Sequence, residues 1–235
     1  MAVAYVPAFL EDLQIFHLER ANGLYGPSVF LLSNFLIGLP YLFLISLLFS
    51  LITYFLIAFN TSSAAKFWWY TFYLSLDLLA AESLVILISA IAPIFVAALA
   101  ITAFANGLWM AVGGFLVPLP QLNVFWRYAW HYWDYQGWVF RGMMGNEFSG
   151  RSYACATAAA ATTSGGALGG GGSGGGVCHC MFQSELSGQC RIAGEAVLRI
   201  YGIGQERRGM WVGIMIAIVI GYRLAGWGVI WWRRA

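Results

Sequence analysis

From Pro27 to Asn60 the chain carries no charged side chain. A helix needs roughly 20 apolar residues to cross the hydrocarbon core of a bilayer. A run of this length can span and still tilt, or break at Pro40. Its spanning part is read as Val29–Phe59, and three more segments share the character: Phe67–Ala90, Ile91–Val117 and Met210–Trp232. Only Pro93 punctuates the second and third, so a short turn is expected between them. Charged residues make up 9% of the chain and hydrophobic ones 60%, whereas a soluble domain carries about 25% charged. So few charges cannot clothe a water-facing surface. The expectation is an all-α, multi-pass membrane protein of about four transmembrane helices. A formal net charge of +2, with no basic run, leaves no footprint for nucleic acid. Met1 and the following AVAYVPAF lack the basic start and cleavage site of a secretory signal.

Four spans put both termini on one side. Lys and Arg in short flanks mark the cytoplasmic face, and Arg20, Arg233 and Arg234 hold those positions. Lys66 and the long segment 118–209 then lie outside. Asn60-Thr61-Ser62 is an N-x-[ST] sequon in an outside loop, which makes Asn60 a candidate glycosylation site. The four cysteines also fall outside, where disulfides persist. The long segment opens with LPQLNVFWRYAWHYWDYQGWVFRGMMGNEF, rich in Trp and Tyr, which favour the headgroup level. Short helices lying at, or dipping into, the outer leaflet are expected there. A glycine-rich insertion, 157–177, follows as a flexible tract without chemistry.

Cys155, Cys178, Cys180 and Cys190 allow three full pairings. Cys178-His179-Cys180 has a single residue between its cysteines and no second pair, so disulfide or free thiol is preferred to a metal site. LSGQ at Leu186–Gln189 copies part of a nucleotide-cassette signature, but it lacks the second glycine and lies outside. No G-x-x-x-x-G-K-[ST] loop is present, and the glycine tract has no Lys to reach a phosphate. His17, His131 and His179 are scattered, so no catalytic cluster forms and the chain is not an enzyme by itself.

Asp77 and Glu82 lie inside the second span. A carboxylate at the bilayer centre costs about 2.5–3.5 kcal/mol, so it faces protein or a watery cavity. At about 100° per residue the two point some 140° apart and do not form one paired site. They serve either a substrate or proton path or, more simply, helix-packing hydrogen bonds. Asn34 and Asn106 suit interhelical hydrogen bonds, each worth about 0.6 kcal/mol.

The stretch PAFLEDLQIFHLERANGLYG from Pro7, followed by LIGLPYLF, resembles the G subfamily of ABC transporters. There an E-R-x-x-G-x-Y segment ends the cytoplasmic link between the second and third transmembrane helices. GGFLVPLPQLNVFWRYAWHYWDYQGWVFRGMMGNEFSG is similar to the end of that family's fifth helix and its re-entrant outer segment. CRIAGEAVL and MWVGIMIAIVIGYRLAGWGVI are similar to the approach to the sixth helix and to that helix. The likeness covers nearly all the chain except the glycine-rich insertion, and its aromatic richness resembles fungal half-transporters.

The resemblance implies a division into 1–26, the end of a transmembrane helix plus a cytoplasmic coupling segment; 27–117, three transmembrane helices; 118–209, the extracellular segment; and 210–235, the last helix and a cytoplasmic tail. It implies that Glu11–Arg20 is the coupling helix, with Glu11, Asp12, Glu19 and Arg20 meeting a nucleotide-binding domain. Glu19 and Arg20 are its best candidates, or else headgroup anchors. It implies that Asn106 and Met110 line a substrate cavity that Phe115 and Leu116 plug, unless these face lipid or core. Cys155 and Cys190 match the outer-loop disulfide, leaving Cys178 and Cys180 to pair with strain or to link protomers. The nucleotide-binding domain, the first helix and nearly all the second are then missing, Tyr5–Pro7 being the second helix's end. The implied protein is the C-terminal part of an exporter of lipids, sterols or hydrophobic xenobiotics in the plasma membrane. The intact transporter uses ATP and Mg, while this chain holds no cofactor. Its partners are the nucleotide-binding domain, a second protomer in a homo- or heterodimer, and membrane lipids. The alternatives are a truncated subunit that regulates full-length transporters, or an unrelated channel or receptor subunit.

Overall fold

The computed structural model describes residues 2–59, 63–157, 178–204 and 208–233. In chain order the helices are α1 (Ala2–Ala21), α2 (Pro27–Leu56), α3 (Ala64–Ile91), α4 (Phe95–Val112), α5 (Val124–Ala129), α6 (Tyr135–Phe148), α7 (Gly194–Ile200) and α8 (Arg208–Trp232). Short strands β1 (Ser152–Ala154), β2 (Ala156–Thr157), β3 (Cys178–His179) and β4 (Arg191–Ala193) lie between α6 and α7. Among the described residues four helices are long and apolar enough to cross a membrane: Pro27–Leu56, Ala64–Ile91, Phe95–Val112 and Gly209–Trp232. These are the four expected spans with adjusted ends. Asn60 and most of the glycine-rich insertion lie outside the described residues.

The chain divides into two compact units, Met1–Met143 with Arg207–Ala235, and Met144–Glu206. The boundary falls within α6 rather than at residue 118. The aromatic segment up to Met143 belongs with the spans because Tyr135, Trp138 and Val139 are buried rather than laid on a surface. By contrast α5 keeps Val124, Phe125 and Tyr128 exposed, as an interfacial helix would.

In the first unit α1 is one continuous helix through Pro7, where the sequence suggested two pieces. Val6, Phe9, Leu10, Leu13 and Phe16 are buried. Their spacings of three and four residues form one stripe, which packs against α3 and α4. Phe9, Leu13 and Phe16 share a core with Leu31 of α2, Ile86 and Ala90 of α3, and Ile230 of α8.

Helix α3 is central, in contact with α1, α2, α4 and α8. Ser63 caps its N-terminus by accepting the Ala65 amide at 3.3 Å. Small and polar residues let neighbours approach, as membrane packing requires. A Cβ added to Gly226 of α8 would lie 3.4 Å from Ile86 Cγ2. Ser46 of α2 and Ser75 of α3 share a hydrogen bond of 2.7 Å, and Ser75 also donates to the Thr71 carbonyl. Much of the rest of α2 is exposed, including Leu32, Leu36, Ile37 and Leu48.

Helix α4 stops at Val112, short of the expected Val117. Gly113 and Gly114 follow, and Gly114 has φ +95, a left-handed conformation open to glycine. Phe115 and Leu116 therefore lie beyond the helix rather than on it.

In the second unit β1 pairs antiparallel with β4, and β2 with β3. Arg151 forms an ion pair with Glu147, which also accepts the Tyr153 hydroxyl at 3.1 Å.

Gly142 lets α6 lie against Tyr73, because a Cβ there would meet the ring at 2.5 Å. Tyr73 is fully buried. Overpacking of this kind costs about 1–3 kcal/mol. Gly142→Ala is expected to lower the thermal unfolding midpoint in detergent, whereas Gly107→Ala, which faces open space, should leave it unchanged or raised.

Candidate functional site

Two polar sites are built into the first unit. In one, Arg223 of α8 donates through Nη2 to Glu82 Oε1 of α3 at 2.9 Å and through Nε to Ser83 Oγ at 3.0 Å. The side chains are 13% and 5% exposed, so this is a buried ion pair. The guanidinium also lies 4.9 Å from the centroid of the Phe35 ring of α2. A Cβ on Gly38, one helical turn along α2, would come 3.2 Å from Glu82 Oε1. Just before Phe35, Asn34 accepts the Tyr5 hydroxyl of α1 at 2.8 Å. Four helices thus converge on one charged pair. Arg223 had a signal that sequence reasoning passed over: a cation inside one span opposite in sign to a carboxylate inside another. Asp77 takes no part in the pair and lies instead within electrostatic reach of Asp134 and Tyr135.

The second site joins α4 to α6. Asn106 accepts the Tyr135 hydroxyl at 2.9 Å and the Gln136 amide at 3.3 Å, while its own amide donates to the Thr102 carbonyl. Asn106 is thereby turned toward α6. Met110, Phe115 and Leu116 are exposed, so the structure does not gather these four residues into one site. His131 lies within 3.1 Å of the Val112 carbonyl through Nδ1, and Arg141 lies 2.6 Å from His131 Nε2. A carbonyl only accepts and a guanidinium only donates, so the ring is neutral with its hydrogen on Nδ1. Burial first, then the Arg141 charge, holds the imidazole down to about 4.

Glu11, Asp12, Glu19 and Arg20, expected to serve coupling, separate into two groups. Glu11 and Asp12 are exposed on α1, beside exposed Ile15 and Leu18. Glu19 accepts the Tyr25 hydroxyl, and Arg20 donates to the Ile230 carbonyl of α8 at 3.1 Å. Both hold the C-terminal end of α1 within the chain.

In the second unit the expected disulfide is corrected: Cys155 bonds to Cys180, with Cα atoms 4.9 Å apart, and not to Cys190. The strands bring both candidates to Cys155. Extending the β1–β4 register by one residue sets Cys155 opposite Cys190, and extending β2–β3 by one sets it opposite Cys180. Cys155 meets Cys190 through the backbone, its amide donating to that carbonyl at 2.8 Å, and meets Cys180 through sulfur. Cys190 is itself disulfide-bonded. Among the described residues no group of three or more potential ligands could hold a metal ion.

Four apolar helices tied by a buried ion pair, with an amphipathic helix leading in, define a multi-pass membrane domain. Residues 1–148, covering α1 through α6, match the family model described as ABC-2 type transporter, and the chain belongs to that family. It is similar to ABC transporter G family member 13 of Arabidopsis thaliana, 28% identical over 241 residues, across 100% of this chain and 30% of that protein. ABC transporter G family member 1 of Petunia hybrida is 32% identical over 151 residues, 64% of this chain and 24% of that protein. ABC transporter G family member 23 of Arabidopsis thaliana is 26% identical over 228 residues, 97% of this chain and 32% of that protein. The chain thus spans between about a quarter and a third of the length of these relatives. The G-subfamily likeness of the sequence is matched by these relatives.

Removing one partner of a buried ion pair strands the other charge, at about 3–5 kcal/mol. Glu82→Gln and Arg223→Met should each lower the unfolding midpoint in detergent, and Glu82→Leu combined with Arg223→Met should lower it less than either. A second expectation concerns acid. The unfolded chain takes up a proton at His131 near 6.5 while the fold refuses it down to about 4. The stability contributed by the neutral ring is present above 6.5 and is lost as pH falls from there toward 4. Thermal midpoints of His131→Gln measured across this range should show a weaker loss in acid than the unsubstituted chain.

Proposed function

We propose that the chain is the C-terminal part of the transmembrane domain of an ATP-driven exporter. In the intact protein, nucleotide-binding domains close on ATP and Mg, and the movement is delivered through α1. The observation that carries this reading, with the family match over residues 1–148, is the division of α1 into two faces. One face lies in the core formed with α2, α3 and α8, and the other presents Glu11, Asp12, Ile15 and Leu18 to the surroundings. A helix so placed can take a push on its open face and move the spans with its buried one. Glu11 and Asp12 are then the residues that meet the nucleotide-binding domain. Glu19 and Arg20 pass the displacement to Tyr25, ahead of α2, and to α8.

The apolar side chains Met110, Phe115 and Leu116 are assigned to the substrate path, completed by a second protomer, and they suit lipids, sterols or hydrophobic xenobiotics. Asn106 borders that path from its place beside α6. The α1 end faces the cytoplasm, as the positive flanks Arg20 and Arg233 indicate, and the plasma membrane is the assigned location.

The test is made in the complete transporter. Reversing both charges, Glu11→Lys with Asp12→Lys, should reduce substrate-stimulated ATPase activity while surface abundance is kept. Unchanged coupling at normal abundance would overturn the role given to α1.

A further inference from the structure

Asp134 is fully buried where two helix ends meet. Its Oδ1 accepts the Gln136 amide at 2.8 Å and caps the N-terminus of α6, where the helix dipole favours a carboxylate. Its Oδ2 has no hydrogen-bond partner and is pressed against the opposite kind of terminus. A Cβ on Gly113, which ends α4, would lie 2.6 Å from Oδ2 and 2.8 Å from the Trp109 carbonyl oxygen. A Cβ on Gly137 would lie 3.0 Å from the Gly113 carbonyl oxygen and 3.1 Å from Oδ2. Oδ2 therefore lies beside Gly113 at the C-terminal, negative end of α4. A carboxylate oxygen is repelled there, whereas a carboxylic O–H can donate.

We infer that Asp134 is a proton-binding latch: as a carboxylate it caps α6 alone, and as a carboxylic acid it also donates its one O–H to a carbonyl at the end of α4 and ties the two helix ends together. The step is uptake of one proton from solvent at Oδ2, and no other bond changes. From α3, Asp77 opposes ionisation whenever it is itself charged, while Arg141 of α6 and the amides of Gln136 and Gly137 favour it. Tyr135 and His131 stay neutral beside it, and Tyr222 of α8 donates its hydroxyl to the Trp133 carbonyl at 2.9 Å. Burial is the largest influence and pushes the Asp134 carboxyl up to about 7. The fold thus keeps a proton that the unfolded chain releases above 3.8. The latch is closed in mild acid and opens as pH rises through about 7. His131 has the opposite slope, at lower pH, so a matched variant is needed.

Asp134→Asn supplies it. Asn caps a helix as well as Asp, offers N–H donors toward α4 and does not titrate. The full chain in detergent is compared on the two sides of neutrality by hydrogen–deuterium exchange, corrected for intrinsic rate, in peptides covering the end of α4 and the start of α6. The unsubstituted chain should exchange several-fold faster on the alkaline side, and Asp134→Asn should be equally protected on both. Equal protection of the unsubstituted chain at both, or a pH difference that persists in Asp134→Asn, would overturn the latch. Should Asp134→Asn not fold, infrared titration of the unsubstituted chain decides. A protonated-carboxyl band that titrates near neutrality and survives in Asp77→Asn supports the latch. No such band, or its loss in Asp77→Asn, overturns it.

Discussion

The ion pair between Glu82 and Arg223 is the constraint around which the membrane part is arranged. Each charge alone inside the hydrocarbon is costly, and together they are tolerable when closely paired and hydrogen-bonded. That demand sets the neighbours: Gly38 leaves room for the carboxylate, Phe35 covers the guanidinium, and Ser83 accepts from its Nε. It also fixes the register of α8 on α3, which Gly226 then allows to close. Apolar packing between helices is weakly directional in lipid, and a charged pair is not.

At the other polar site the limiting quantity is space. Gly113, Gly137 and Gly142 each stand where a methyl group would strike Asp134, the α4 end or Tyr73. Their absence of side chains brings α6 against α4 and α3 and buries His131 and Asp134 at their junction. Two titratable groups with opposite slopes thus share one helix junction.

The spans were legible from apolar runs alone, since length and charge decide them. The stripe of Val6, Phe9, Leu10, Leu13 and Phe16 was also present in the sequence, but the family resemblance implied separate pieces at Tyr5–Pro7 and Glu11–Arg20 where the helix is continuous. Partners far apart in sequence were less visible. Glu82 and Arg223 belong to different spans, and nothing local sets which faces of two apolar helices meet. Asp134 and His131 were hidden within an aromatic segment whose composition points to the interface, while α6 turns it inward. The cysteine pairing turned on one residue, Cys155, standing at the end of two strand ladders at once. That Glu19 and Arg20 bond within the chain while Glu11 and Asp12 stand exposed depends on side-chain partners that no spacing rule supplies.

The proposed role of α1 is that its open face receives the nucleotide-binding domain in the complete transporter. Cysteine placed at Ile15 or Leu18 and treated with a water-soluble maleimide tests it most directly. The account predicts rapid labelling in this chain alone and protection at both positions in the complete transporter. Equal labelling in the two would contradict it.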